Sequence, residues 1–247
     1  MTERPIHVLR EDPDLAETID AARRAQAVRE CTARELRIAP GPWSGCDPAP
    51  AGDGMIGLLL LEGLVIRRAV LGGRTAAELI GDGDVLRPWQ TDDESVLPVS
   101  SEWAVLEPTR AAILDDRFAR HLTRYPELAG RLVARALQRS RSLAVNMAIV
   151  HHARVDVRLH MLFWHLAGRW GRVRSDGTVV TMRLTHAVLA ELVAARRPTV
   201  TSALSDLARR GLVRPGDDGW LLSGEPPGES RSTRSVSIYS VDKADNR

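Results

Sequence analysis

The stretch from Thr178 to Leu222, TVVTMRLTHAVLAELVAARRPTVTSALSDLARRGLVRPGDDGWLL, constrains this chain more than any other. Leu189, Leu192 and Val193 recur at helical spacing behind Thr185, a residue type that caps helix amino termini. A tight turn is expected at Ala194-Ala195. A second helix follows, with Pro198 in the first turn, where a missing N–H costs nothing. Its inner face is Val200, Ala203, Leu204 and Leu207. At about 100° per residue the opposite face holds Pro198, Ser202, Ser205 and Arg209, flanked by Thr199, Thr201 and Asp206. Small polar groups let a helix backbone approach the floor of a major groove, whereas long side chains hold it away. Arg196 and Arg197 stand at the amino end, in reach of phosphates or a guanine edge. The helix is expected to end at Gly211, and a hairpin over Pro215-Gly216-Asp217-Asp218-Gly219 takes the place of a wing. The pattern predicts a winged helix–turn–helix with double-stranded DNA as partner.

Upstream, Arg117 to Trp170 is helix-rich, broken only by Pro126, Gly130 and Gly168. Leu132, Ala136, Arg139, Leu143, Asn146 and Val150 alternate by four and three, the spacing of a coiled-coil seam, with Asn146 as a register-setting polar group. These six are the expected dimer seam. A second stripe, Val133, Leu137, Ala144 and Met147, lies alongside, so the helix has two surfaces to cover: its own β-domain and a partner helix. A further helix is expected from Val155 to Trp170. Before Arg117, residues 12–37 read as one or two amphipathic helices and 39–54 as a Pro/Gly loop. Between 55 and 115, short apolar runs are punctuated by Gly63, Gly72-Gly73, Gly81 and Gly83, as in a small all-β sandwich or barrel; its last strand pair should turn at Glu107-Pro108. The tail from Gly224 reads as mobile.

Charge is uneven. Residues 1–116 carry a net −9, residues 117–174 a net +10 and residues 175–247 a net +1. The basic block has two readings: an anionic partner, or pairing with the acidic half of the same molecule. The 247 residues are 44% hydrophobic, enough for one large or two medium domains with a real core. The longest apolar run is interrupted by Glu62 and too short to span a bilayer, and the polar amino terminus is not a signal peptide. Two cysteines, Cys31 and Cys46, make no disulfide framework, which suits a reducing cytoplasm. No nucleophile-elbow or Walker spacing is present. His151-His152, His160 and His165 lack metal-site spacing, and Asp92, Asp93 and Glu94 read as a solvated loop. A cupin-like metal-dependent enzyme would need histidines on barrel strands, yet residues 38–116 contain none. No metal and no catalysis are expected.

With these residues in view, ELVAARRPTVTSALSDLARRGLV and its wing resemble the cyclic-AMP receptor protein and fumarate–nitrate regulator (Crp/Fnr) superfamily of transcription regulators. The resemblance extends over about residues 55–222 through the GDGDVL turn and the long helix opening at Pro126. It implies an α+β chain: a cyclic-nucleotide-binding-like jelly-roll barrel within 1–116, a dimerisation helix within 117–153, a winged helix–turn–helix within 154–225 and a mobile tail, 226–247. It also implies a cytoplasmic homodimer reading a near-palindrome, with the acidic half available to RNA polymerase. Thr185 and His186 then sit at the first helix, with Arg196, Arg197, Pro198, Thr199, Thr201 and Ser202 on or beside the recognition helix. Pro198 and Ser202 replace the family's base-reading glutamate and arginine, so the half-site should differ. After Gly83-Asp84 the family's ribose-binding glutamate is missing, and Val99-Ser100 stand where its phosphate-binding Arg-Ser/Thr pair belongs. The barrel therefore senses another small molecule or none. The alternative is a cyclic-nucleotide pocket rebuilt from Arg87, Trp89 and Ser100. An iron–sulfur branch needs four cysteines, and for haem only His7, Cys31 and Cys46 offer amino-terminal ligands, so no cofactor is expected.

Overall fold

The computed structural model describes residues 5–45, 54–90 and 96–227. In chain order the first elements are β1 (Pro5–His7), α1 (Val8–Glu11), a 3-10 turn (Pro13–Ala16), α2 (Ala21–Glu30), β2 (Thr32–Ile38), β3 (Gly41–Trp43), β4 (Gly57–Leu71), β5 (Arg74–Ile80), β6 (Val85–Leu86) and β7 (Ser100–Leu114). Three helices follow: α3 (Asp116–Arg124), α4 (Pro126–Val150) and α5 (Val155–Trp170). The last part is β8 (Gly171–Arg174), β9 (Gly177–Val180), α6 (His186–Leu192), α7 (Arg197–Arg209), β10 (Val213–Gly216) and β11 (Gly219–Leu222). The Asp92, Asp93 and Glu94 loop, Cys46 and most of the tail expected to be mobile lie outside the described residues.

An antiparallel sheet, β1-β2-β7-β4-β5, carries β3 on β7 and β6 on β4. Its backbone is the pairing of two fifteen-residue strands, β4 and β7. This corrects two expectations: Gly63 does not separate two short runs, and the chain does not reverse at Glu107-Pro108. The pairing instead slips between Leu60 and Val65, opposite Pro108. Proline cannot donate to a ladder and survives inside a sheet at such irregularities. Gly63 has φ +102°, and a side chain there would collide with the Pro108 carbonyl.

That slip sets the faces. Leu58, Leu60 and Val65 share one apolar cluster with Trp103, Val105, Ala111 and Ile113. Leu59, Ala112 and Leu114 face the other way, under the amino-terminal helices, α3 and the start of α4. Inward positions on β4 thus change from even to odd numbers across the slip. Leu64 and Ile66 are turned outward, where they join Leu79 in a core with α5, α6 and α7. Residues 32–37, expected to be helical, belong instead to β2, whose residues 34–38 pair with Thr109–Ile113 of β7. The supposed loop at 39–54 contains β3.

Much of the helical block's charge is met within the chain. Arg124 pairs with Glu30 and Arg131 with Glu17, each at 3.0 Å. Arg135 holds both carboxylate oxygens of Asp12, and Arg139 those of Glu78 at 2.6 and 2.8 Å. Arg169 reaches Asp84 at 2.9 Å. These arginines of the basic block are answered by the acidic half of their own chain.

Candidate nucleic-acid interface

Thr185 caps α6, its Oγ1 accepting from the Val188 N–H at 3.3 Å. The helix closes with two bonds, Ala194 N to the Glu191 carbonyl at 3.2 Å and Ala195 N to the Ala190 carbonyl at 2.9 Å. That is a Schellman cap, whose left-handed position normally belongs to glycine. Ala194 occupies it at φ +49°, alone among the described non-glycine residues in having a positive φ. This cap is the turn of the helix–turn–helix. Helix α7 ends the same way, with Gly211 (φ +67°) bonding to Ala208 and Leu212 to Leu207, each at 3.0 Å.

Between the caps, Val200, Leu204 and Leu207 are buried against α5 and α6, with Ala203 packed beside them. Pro198, Thr199, Ser202, Ser205 and Arg209 are exposed. The Ser202 and Ser205 hydroxyls donate back to the Pro198 and Thr201 carbonyls at 3.2 and 3.0 Å, which lays these short side chains along the helix. Thr201 Oγ1 donates to the Arg197 carbonyl at 3.1 Å and lies 3.0 Å from His186 Nδ1. With the hydroxyl proton committed to the carbonyl, His186 is the donor in that bond, leaving Nε2 free. The residue pair therefore joins α6 to α7.

Charge along α7 is polarised. At its carboxy end Arg209 pairs with Asp206 at 2.7 Å and Arg210 with Asp156 at 3.2 Å. At its amino end Arg196 and Arg197 are exposed, and neither makes an ion pair among the described residues. The positive pole of the helix dipole and two uncommitted guanidinium groups thus coincide.

The wing is the β10–β11 hairpin, and it belongs to a four-stranded sheet, β10-β11-β9-β8. The β8–β9 hairpin was missed in the sequence, although Asp176-Gly177 between VRS and TVV is a hairpin signal. Trp220 of β11 packs against Phe163 of α5 at 5.0 Å between ring centres.

Other candidates are placed differently from expectation. The six seam residues do not share one free face. Leu132 is buried under the amino-terminal helices, Arg139 is bound to Glu78, and Asn146 Oδ1 is buried without a partner. Ala136 and Leu143 are exposed, and Val150 is half-buried. The free face is the second stripe, where Val133, Leu137 and Met147 are 58%, 55% and 64% exposed. Arginine drawn to carboxylates on the sheet, not apolar spacing, fixes which side of α4 turns inward. The proposed pocket of Arg87, Trp89 and Ser100 also does not assemble. Arg87 donates to the Met55 carbonyl before β4, and Trp89 packs on the inner cluster of the sheet. Ser100 pairs with Val70 at the opposite end of β4, carried there because β7 never turns. Of the amino-terminal haem candidates, Cys31 is buried and burial pushes its thiol up to about 11, so it is no ready thiolate. Among the described residues no group of three or more His, Cys, Asp and Glu is placed to hold a metal, and no helix is long and apolar enough to cross a membrane.

Comparison with known proteins bears on this geometry directly. A family model for the Crp-like helix-turn-helix domain matches residues 157–222. The CRP-like cAMP-activated global transcriptional regulator of Mycobacterium tuberculosis is 30% identical over 158 residues, covering 64% of this chain and 70% of that protein. This chain belongs to the Crp/Fnr family of transcription regulators. Solved structures share the family fold. A CRP-family transcriptional regulator from Thermus thermophilus superposes with a TM-score of 0.53 at 20% identity, covering 76% of this chain and 91% of that one. A cyclic nucleotide-binding domain containing protein from Listeria monocytogenes gives 0.60 at 14% identity, covering 76% and 87%. The α+β architecture of this Crp/Fnr member, an antiparallel sheet followed by a winged helix–turn–helix, is the family's own.

Proposed function

We propose that this Crp/Fnr regulator works as a homodimer that reads a near-palindromic DNA site through α7. The observation that carries the reading is the outer face of α7, exposed, built of short side chains and opened by the uncommitted Arg196 and Arg197. Arg197 supplies a bidentate contact to a base edge. Pro198, Thr201 and Ser202 let the helix seat deeply, while Thr185, Arg196 and Thr199 meet phosphates and His186 fixes Thr201 in place through their bond. The exposed stripe of α4, Val133, Leu137, Ala144 and Met147, is the dimer seam, and Ser140 completes its four-three spacing. Working boundaries are 1–116 for the sensor, 117–153 for the dimerisation region, 154–225 for the DNA-binding unit and 226–247 for the tail. The sensor has lost the cyclic-phosphate residues: Val85-Leu86 is used as strand β6, and Arg87 is spent on Met55. The acidic surface of the first half is offered to RNA polymerase in the same cytoplasmic setting.

Selection of bound duplexes from random DNA tests the core of this. Two inverted half-sites about one helical turn apart are expected, and an asymmetric single site would overturn the dimeric reading. One observation favours a second reading, in which a cyclic nucleotide still binds: the mycobacterial relative is described as cAMP-activated. Calorimetry with cyclic AMP and cyclic GMP separates the two, since micromolar binding would require a rebuilt pocket.

A further inference from the structure

A cleft of about 650 Å³ lies where four parts of the molecule meet: the amino-terminal segment Glu11 to Asp14, the Gly81–Asp84 turn of the sheet, the middle of α4 and the second half of α5. It is of ligand size. Its chemistry is that of a guanidinium receiver. Two of the chain's own guanidinium groups already end there, Arg135 on Asp12 and Arg169 on Asp84, and a third, Arg139, crosses the lining to reach Glu78 behind it. Arg169 also donates to the Asp82 carbonyl at 2.8 Å and stacks over Trp170 at 4.3 Å. Two further carboxylates of the lining, Asp14 and Asp82, receive no side chain among the described residues. Behind Arg139, Ser142 and His165, an adjoining void of about 30 Å³ is lined by Asn146, whose Oδ1 is buried with no donor. What the cleft has left over is acceptors and negative charge. An anion such as a phosphate would meet cations that are already paired, beside carboxylates that repel it.

We propose that this cleft is a binding site for a small ligand carrying amino or guanidino groups, held by Asp14 and Asp82. Such a ligand touches sheet, α4 and α5 together, so it bears on how the sensor and DNA-binding units are joined. The site stands apart from the reading of α7, because its test needs no DNA.

The experiment is calorimetric titration of the full chain with arginine, agmatine, putrescine and spermidine at up to millimolar concentrations. Saturable one-to-one binding of at least one is expected. It should weaken by about tenfold or more, roughly one lost charge-assisted contact, in an Asp14→Asn/Asp82→Asn double variant. An Asp176→Asn variant, altered on the distant β8–β9 turn, should bind as the parent does. Both variants replace exposed carboxylates by isosteres, and an unchanged melting temperature confirms that they fold. No saturable binding by any of the four compounds overturns the proposal, as does equal weakening in both variants or no weakening in the double variant.

Discussion

Ala194 holds the turn of the helix–turn–helix in a backbone conformation that costs a β-carbon about 1–2 kcal/mol. Glycine removes that strain but brings a more disordered unfolded chain, a loss of about 0.5–1 kcal/mol. Ala194→Gly should therefore stabilise the protein by about 0.5–1 kcal/mol in urea unfolding, with the helices unchanged; a loss of stability would mean the methyl group makes contacts that the exposed position does not suggest. Arg197 tests the other end of the same unit. Its replacement by alanine should remove about 1–3 kcal/mol of discrimination at one base pair in each half-site, measured by competition between the selected site and single-base variants. Retained discrimination would remove Arg197 from base reading. His160 belongs to the residue scale too. Its Nε2 accepts from the Trp164 indole at 3.1 Å, and burial, helped by Arg210, pushes its proton affinity down. The folded state thus keeps this ring neutral while the unfolded chain takes up a proton near pH 6.5. Stability should fall as pH drops through that value and level off below the folded pKa. In a His160→Asn variant the melting temperature should lose part of this pH dependence; an identical slope would place the titration elsewhere.

At the scale of elements, what the sequence made legible was what is decided within a few residues. Thr185, Pro198 and Gly211 announced the two helices of the DNA-binding unit because caps and first turns are local chemistry. The six seam residues of α4 are split between faces because the helix's orientation is set by partners far away in sequence: Asp12 lies 123 residues from Arg135, and Glu78 lies 61 from Arg139. Periodicity showed two stripes and could not say which one faces home. The β4–β7 pair was hidden for a similar reason. Gly63 and Pro108 each look like a turn, and only their being opposite one another turns both into an irregularity of a continuous ladder. The correction makes its own prediction. Leu137→Glu, on the exposed stripe, should leave a folded chain that sediments as a monomer and binds its full DNA site at least about tenfold more weakly, since one half-site is lost with the partner. Ala136→Glu, one residue earlier but on the edge of the stripe, should be milder. A Leu137→Glu variant that stays dimeric would move the interface off this face.

The whole molecule is joined more tightly than a sensor tethered to a reader. Leu64, Ile66 and Leu79 of the sheet lie in one continuous apolar cluster with Leu159, Leu162 and Phe163 of α5 and Leu189 and Leu192 of α6. Around it, Arg68 donates to both oxygens of Glu191 at 2.5 and 3.3 Å, and the Trp170 ring packs directly over Gly81. Burial of several large side chains, each of order 1.5–3 kcal/mol, outweighs the part-exposed ion pairs at its edge, Arg68 with Glu191 and Arg169 with Asp84. Sheet and winged unit should consequently unfold together, in a single calorimetric transition, despite their separate secondary structure. Ile66, which is fully buried, is the residue to probe. Ile66→Ala opens a cavity costing about 2–5 kcal/mol. If the core is shared, near-ultraviolet dichroism from Trp103 in the sheet and from Trp220 in the wing must shift to the same lower midpoint. Two transitions, with only one displaced, would show that the units are cooperative within themselves and merely touch. In that case any signal from the sensor would have to travel through polar links alone: Arg139–Glu78 from β5 to α4, Arg169–Asp84 to α5 and Arg68–Glu191 to α6.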